Sequence, residues 1–176
     1  MDRERAQAAI GQGNSESADN VAVFVPGMTI TVNDSIQSSD VDMGHLQERA
    51  QLESERVSPT RIATTATITW IGYQIPMWRD LLNPEKSGAS ITAARKGAAQ
   101  LVPFLRGIGA SRDDRAHLTL LGHFYGSTTA VLALPTATGV DDAVFFVPPG
   151  LGPDHLADLR LSAGALPYRE SAPVVL

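Results

Sequence analysis

An α/β fold, with a mostly parallel sheet flanked by helices, is predicted by three observations. Residues 21–25 read VAVFV, five apolar residues in a row, as expected of a strand buried on both faces. The span from Ile62 to Leu121 runs strand, helix, strand, a crossover unit that argues for parallel pairing and a right-handed connection. The stretch from His117 to Leu132, HLTLLGHFYGSTTAVL, passes from apolar residues through two glycines into small, helix-compatible ones. That order is strand, sharp turn, helix.

Composition narrows the class of molecule. A chain of 176 residues has room for one domain, which buries roughly 70% of its unfolded surface. An apolar fraction of 43% and a charged fraction of 19% are globular values, not those of a disordered chain. A net charge of −5 with scattered Lys and Arg argues against nucleic acid as a partner. Without cysteine there is no disulfide framework and no thiolate zinc site, and the four histidines are dispersed. No metal and no cofactor are expected. The first twenty residues lack a signal-peptide core and no apolar run is long enough to span a bilayer, so a cytoplasmic protein without a membrane partner is expected.

In chain order, residues 1–10 read as the end of a helix, stopped by Gly11 and Gly13. Residues 1–18 are thus an N-terminal helix and linker, and 19–176 a single domain. The strand at 21–25 runs into Pro26-Gly27-Met28. Residues 33–57 are polar and helical at least from Met43 to Arg56, with a solvated charged face. Ile62 to Ile71 is the second strand, rich in β-branched Thr and Ile. It ends among Trp70, Tyr73 and Trp78 at the edge where open α/β sheets build ligand crevices. Trp70 and Tyr73 are candidate pocket-lining residues; the competing reading is that they pack the core.

Ile91, Ala94, Ala98, Leu101, Leu105 and Ile108 form one apolar stripe, predicting a helix over about 91–108 despite Pro103. After the strand at 118–121 a helix is expected over roughly 127–134, then a buried strand at 143–147 and another at 172–176. Asp154 suits a helix N-cap better than catalysis, and His155 beside it does not face it.

The turn Gly122-His123-Phe124-Tyr125-Gly126 fits the nucleophile-elbow pattern G-x-S-x-G at both glycines and departs from it at the centre. In that pattern the central side chain is the nucleophile, and here it is a phenyl ring. A bulky residue at positive φ is costly by about 1–2 kcal/mol. The same glycines also suit a plain tight turn with Phe124 in the core. The backbone N–H groups of Met28 and Tyr125 are the candidate oxyanion donors, although Pro26-Gly27 equally predicts an ordinary strand-ending turn.

Several blocks together resemble an uncharacterised-domain branch of the α/β-hydrolase superfamily: DNVAVFVPG (19–27), TITWIGYQIP (67–76), LTLLGHFYGSTTA (118–130) and PPGLGPDHLADL (148–159). The resemblance covers about residues 1–172. Members of that branch read G-H-S-Y-G where this chain has Phe124 at the centre. The resemblance implies a serine-hydrolase scaffold for esters, amides or related acyl bonds, and a helical region preceding residues 1–18.

Two departures set the functional expectation. Phe124 stands at the nucleophile position. In the superfamily the acid and then the histidine follow the nucleophile, the histidine near the end of the domain, whereas here the only histidine after the elbow is His155, in the wrong place, and the chain stops about where the acid-bearing strand is expected to finish. The expectation is a partial α/β-hydrolase fold lacking its C-terminal strands and without triad chemistry. Ser127, one turn into the helix, is expected to point along it rather than at the crevice. A non-catalytic module holding a small acyl, ester or carboxylate ligand is the alternative. A phosphate cradle at Gly122–Thr128 ranks last, since it lacks the Lys of G-x-x-x-x-G-K-[ST]. A sheet cut short leaves an apolar edge and an uncovered face, so self-association is expected.

Overall fold

A computed structural model describes residues 8–27, 36–73, 87–136 and 138–146. Five strands make one sheet: β1 (Ala8–Gln12), β2 (Asn20–Val25), β3 (Thr65–Ile71), β4 (His117–His123) and β5 (Asp142–Phe146). Three helices flank it: α1 (Ile36–Val57), α2 (Ser87–Ala110) and α3 (Tyr125–Ala133), the last running into a 3₁₀ turn at Leu134–Thr136. The spatial order is β1-β3-β2-β4-β5. β2, β3, β4 and β5 are mutually parallel, and β1 alone runs antiparallel, against β3.

The core on one face joins Val21, Val23 and Val25 of β2 and Leu118 and Leu120 of β4 to Ala94, Ala98, Leu101 and Leu105 of α2. The predicted apolar stripe of α2 is therefore its packed side from Ala94 to Ile108, whereas Ile91 at its start is 44% exposed. Pro103 lies inside that helix without ending it and is solvent-exposed. On the exposed side its ring and its missing N–H disturb no packing. The opposite face carries α1, whose Met43 joins Ala22 and Leu121 in a smaller cluster. Buried Thr67 donates from Oγ1 to the Met43 carbonyl at 3.3 Å.

Three expectations are corrected. The helix expected through residue 10 is, from Ala8, strand β1, paired with β3 in the register Ala8↔Ile71 to Gln12↔Thr67. A pairing partner overrides the weak β-propensity of AAIGQ; residues 1–7 lie outside the described residues. The strand expected at 143–147 is not buried as expected: Val144 and Phe146 on β5 are 43% and 44% exposed, because α1 packs toward β3 and β1 and no described helix covers that face of β5. The helix after β4 starts at Tyr125, directly after the turn, not at Ser127. The expected strand at 172–176, and with it the expected truncation of the sheet, lies outside the described residues.

Candidate functional site

β4 delivers Phe124 to the C-terminal edge of the sheet between two fixed elements. The last rung of the β4–β5 ladder is the Phe124 N–H donating to the Phe146 carbonyl at 2.8 Å. Immediately afterwards α3 begins, and the Ser127 N–H donates to the Phe124 carbonyl at 3.0 Å. Between these anchors the chain reverses with Phe124 at φ 52, ψ −118. It is the one non-glycine residue at positive φ among the described residues. That region is sparsely populated for side chains with a Cβ, and occupying it costs of order 1–3 kcal/mol. The turn is thus a strained elbow with a half-buried phenyl ring at its crest.

Close backbone approach holds the strain in place. A Cβ at Gly27 would lie 2.1 Å from the His123 carbonyl oxygen and 2.7 Å from the Tyr125 nitrogen. One at Gly126 would lie 2.1 Å from the Val25 carbonyl oxygen, and one at Gly122 2.7 Å from Ser127 Cα. The end of β2 is therefore pressed against the elbow from one side and the start of α3 from the other. Only residues without a Cβ allow it.

A stack of aromatic rings supports this contact. Tyr73 lies against Trp70 at 6.0 Å and against Tyr125 at 6.3 Å, and its hydroxyl donates to the Pro26 carbonyl at 2.9 Å. Burial pushes the Tyr73 phenol pKa well above its usual range, so it acts as a donor throughout the physiological range. Trp70, Tyr73 and Tyr125 are all buried in the main core. Trp70 also edges a groove of about 300 Å³ with Gly72, Gln100 and Phe104. Met28, the other expected oxyanion donor, and Trp78, Asp154 and His155 lie outside the described residues.

A family model described as alpha/beta hydrolase matches residues 2–172. The chain belongs to the alpha/beta hydrolase family. An uncharacterised protein of Mycobacterium tuberculosis is 28% identical over 165 residues, covering 93% of this chain and 59% of that protein. An uncharacterised protein of Mycobacterium bovis matches to the same extent. A second, longer uncharacterised protein of Mycobacterium tuberculosis is 30% identical over 155 residues, covering 87% of this chain and 22% of its own length. The chain thus spans about three-fifths of the length of the first of these curated relatives.

Hydrolase chemistry needs a nucleophile and a base at the elbow edge. Phe124 supplies neither. Ser127 is fully buried, and its Oγ has no hydrogen-bond partner among the described residues, so it cannot meet a substrate. His123 stands beside the elbow with its ring 6.4 Å from that of Phe24. The ring is open to water along one side, yet desolvation on the other lowers its pKa below the ordinary imidazole value.

That shift has a stability consequence of defined sign. The neutral form is favoured in the folded chain, so the contribution is intact above the unfolded value of about 6.5 and is lost as pH falls through the lower folded value. His123→Gln is expected to reduce the drop in urea midpoint between pH 7.5 and pH 5. An unchanged drop would show that His123 is not the group responsible.

The charged residues that the sequence did not single out gather at the opposite, N-terminal edge of the sheet. The Asp141 carboxylate accepts the buried Leu118 N–H at 2.8 Å and pairs with Arg115, and His117 Nε2 meets Asp142 at 2.7 Å. Asp19 accepts the Thr64 N–H and hydroxyl, each at 2.8 Å, and those bonds hold its carboxyl below the usual range. A cleft of about 440 Å³ opens at this edge, lined in part by Arg106, Arg112, Arg115 and Thr138. Its arginines act as struts: Arg112 binds the carbonyls of Ser15, Ala18 and Asp114, and Arg106 that of Thr136. The doublet Asp141-Asp142 was the only trace of this cluster in the sequence. Among the described residues, no group of three or more acidic, His or Cys side chains is arranged to hold a metal, and no helix is long and apolar enough to cross a membrane.

Proposed function

We propose that this chain carries the hydrolase scaffold without performing covalent hydrolysis. The observation that carries the reading is Phe124 at φ 52, ψ −118: the backbone makes the elbow and presents a side chain with no nucleophilic atom. Loss of the nucleophile from a triad removes nearly all of the covalent rate advantage. The one cluster of carboxylates and imidazole described above, Asp141 and Asp142 with His117, stands at the N-terminal edge, the length of β4 away from Phe124. Purified protein is expected to show no turnover of p-nitrophenyl acetate or butyrate above the buffer rate. Saturable hydrolysis that follows the protein through two chromatographic steps would defeat the proposal.

A second reading is supported by the strain itself. A backbone conformation costing of order 1–3 kcal/mol is kept although no covalent step uses it. That favours a role for the cradle formed by Gly27 and residues 124–126 in holding a small acyl or carboxylate ligand. Its mark would be saturable shifts of the Gly27 and Tyr125 amide resonances on titration with butyrate. Unmoved resonances at high millimolar butyrate would dispose of it.

A further inference from the structure

Phe124 is held at φ 52 from outside the elbow, and the contacts that hold it converge on one hydroxyl. The segment that presses on the turn is Pro26-Gly27, at the end of β2. A Cβ at Gly27 would stand 2.6 Å from Phe124 Cβ and 2.7 Å from the Tyr125 nitrogen. Pro26 is fully buried, and its carbonyl accepts the Tyr73 hydroxyl at 2.9 Å. A buried carbonyl deprived of its donor carries the whole cost of its lost hydration, so this bond decides which way the Pro26–Gly27 peptide faces. The peptide is trans, and across a trans peptide the carbonyl and the following N–H point in opposite directions. With the carbonyl turned to Tyr73, the Gly27 N–H is turned away from it.

The ring that carries the hydroxyl is itself fixed. It is stacked against Trp70 at 6.0 Å and against Tyr125 at 6.3 Å. From α2, Gly97 closes on it: a Cβ there would stand 2.9 Å from Tyr73 Cγ and 2.9 Å from Thr129 Cγ2. A helix interior disfavours glycine, and here its absent side chain is the seat of the ring. Trp70 in turn rests on Phe104 of the same helix, with ring centroids 6.1 Å apart. The path from α2 to the elbow runs through the Tyr73 ring, its hydroxyl, the Pro26 peptide and Gly27.

We propose that Tyr73 is the positioning residue of the elbow: its hydroxyl latches the Pro26–Gly27 peptide, and the latched peptide keeps Phe124 at positive φ. With the latch open, Gly27 turns freely, the pressure on the turn is released, and Phe124 relaxes toward the ordinary negative-φ region while the sheet stays folded. The aromatic stack without the hydroxyl does not hold the turn. The latch acts whether or not a ligand occupies the cradle.

The test is amide hydrogen exchange of the full chain, wild type against Tyr73→Phe, which keeps the ring and removes only the hydroxyl. The reporters are the Phe124 and Ser127 amides, which donate to the Phe146 and Phe124 carbonyls. The reference is the Leu118 amide near the other end of β4, bonded to Asp141. Local opening appears as a change at the reporters alone. Tyr73→Phe is expected to speed exchange at both reporters roughly tenfold or more relative to Leu118, and to shift the Gly27 amide resonance. Trp70→Phe trims the stack and keeps the hydroxyl, and is expected to leave that ratio within about twofold of wild type. An unchanged ratio in Tyr73→Phe overturns the proposal, and so does a ratio that Trp70→Phe raises equally. A further measurement needs the wild type alone: the Tyr73 hydroxyl proton is expected as a resonance resolved from water, and a proton merged with the water signal overturns the latch.

Discussion

Gly126→Ala lowers the unfolding free energy by about 1–3 kcal/mol or more, and we expect it to be among the most damaging single-methyl additions in the chain. The new Cβ would lie 2.1 Å from the Val25 carbonyl oxygen and 2.8 Å from its carbon. Both obstacles are backbone atoms of β2, a central strand paired on both sides, so the strand cannot step aside without breaking its ladders. A control separates this clash from helix propensity. Alanine is the better helix former by about 1 kcal/mol, so an uncrowded glycine in a helix should respond in the opposite direction. A Cβ at Gly107 in α2 would meet nothing within 4 Å, and Gly107→Ala is expected to be neutral or stabilising. Urea melts of the two variants provide the check, and equal effects would remove close approach as the reason for Gly126.

Asp141→Ala is the second large effect, expected at about 1.5–3 kcal/mol. Its carboxylate is the partner of the Leu118 N–H, which is buried at the start of β4. The Asp141 N–H in turn donates to the Leu118 carbonyl at 2.8 Å, so the residue closes both ends of one strand junction. Alanine keeps the second bond and orphans the first, leaving a buried donor without a partner. Arg115 contributes less, because its side chain is 68% exposed and its pairing is screened by water. Arg115→Ala should therefore cost well under half as much as Asp141→Ala in the same urea titration. The reverse ranking would mean that the ion pair, not the backbone bond, holds the junction.

The parts of this fold legible in the sequence were those written in side-chain pattern. VAVFV, the Thr-Ile run of β3 and the stripe from Ile91 to Ile108 each carry their structure in composition and period, and each appears where expected. β1 carries no such signal. AAIGQ is small and weakly β-forming, and it is a strand because Ile71 to Thr67 of β3 offers it a partner. The exposure of β5 was hidden for a related reason: Val144 and Phe146 read as core residues, and only the layout of helices over the sheet leaves them uncovered.

At the elbow the legible and illegible parts are adjacent. Gly122 and Gly126 announced a tight strand-to-helix turn. The identity of Phe124 argued against positive φ, yet the residue adopts it, because contacts at Gly27, Gly122 and Gly126 determine the backbone more strongly than one side chain's preference. Trp70 and Tyr73 illustrate a different limit. Their position at a strand end pointed equally to a pocket and to packing, and their rings lie in the core, bracing the contact between β2 and the elbow. The Asp141–His117–Asp142 cluster was unreadable for a third reason: which residues meet across two parallel strands depends on register, and register is set by the whole sheet.

We propose that this hydrolase-family chain performs no covalent acyl chemistry, and that a serine restored at position 124 would not by itself supply it. The most direct measurement is the intact mass of Phe124→Ser after exposure to a fluorophosphonate, which phosphonylates activated serines and ignores inert ones. An unmodified mass is expected for wild type and variant alike, because among the described residues only the His123 imidazole stands near that crest, its ring 6.2 Å from that of Phe124, and no described carboxylate orients it. Stoichiometric modification mapped to position 124 of the variant would contradict it, and would show that a working base stands within reach of the elbow.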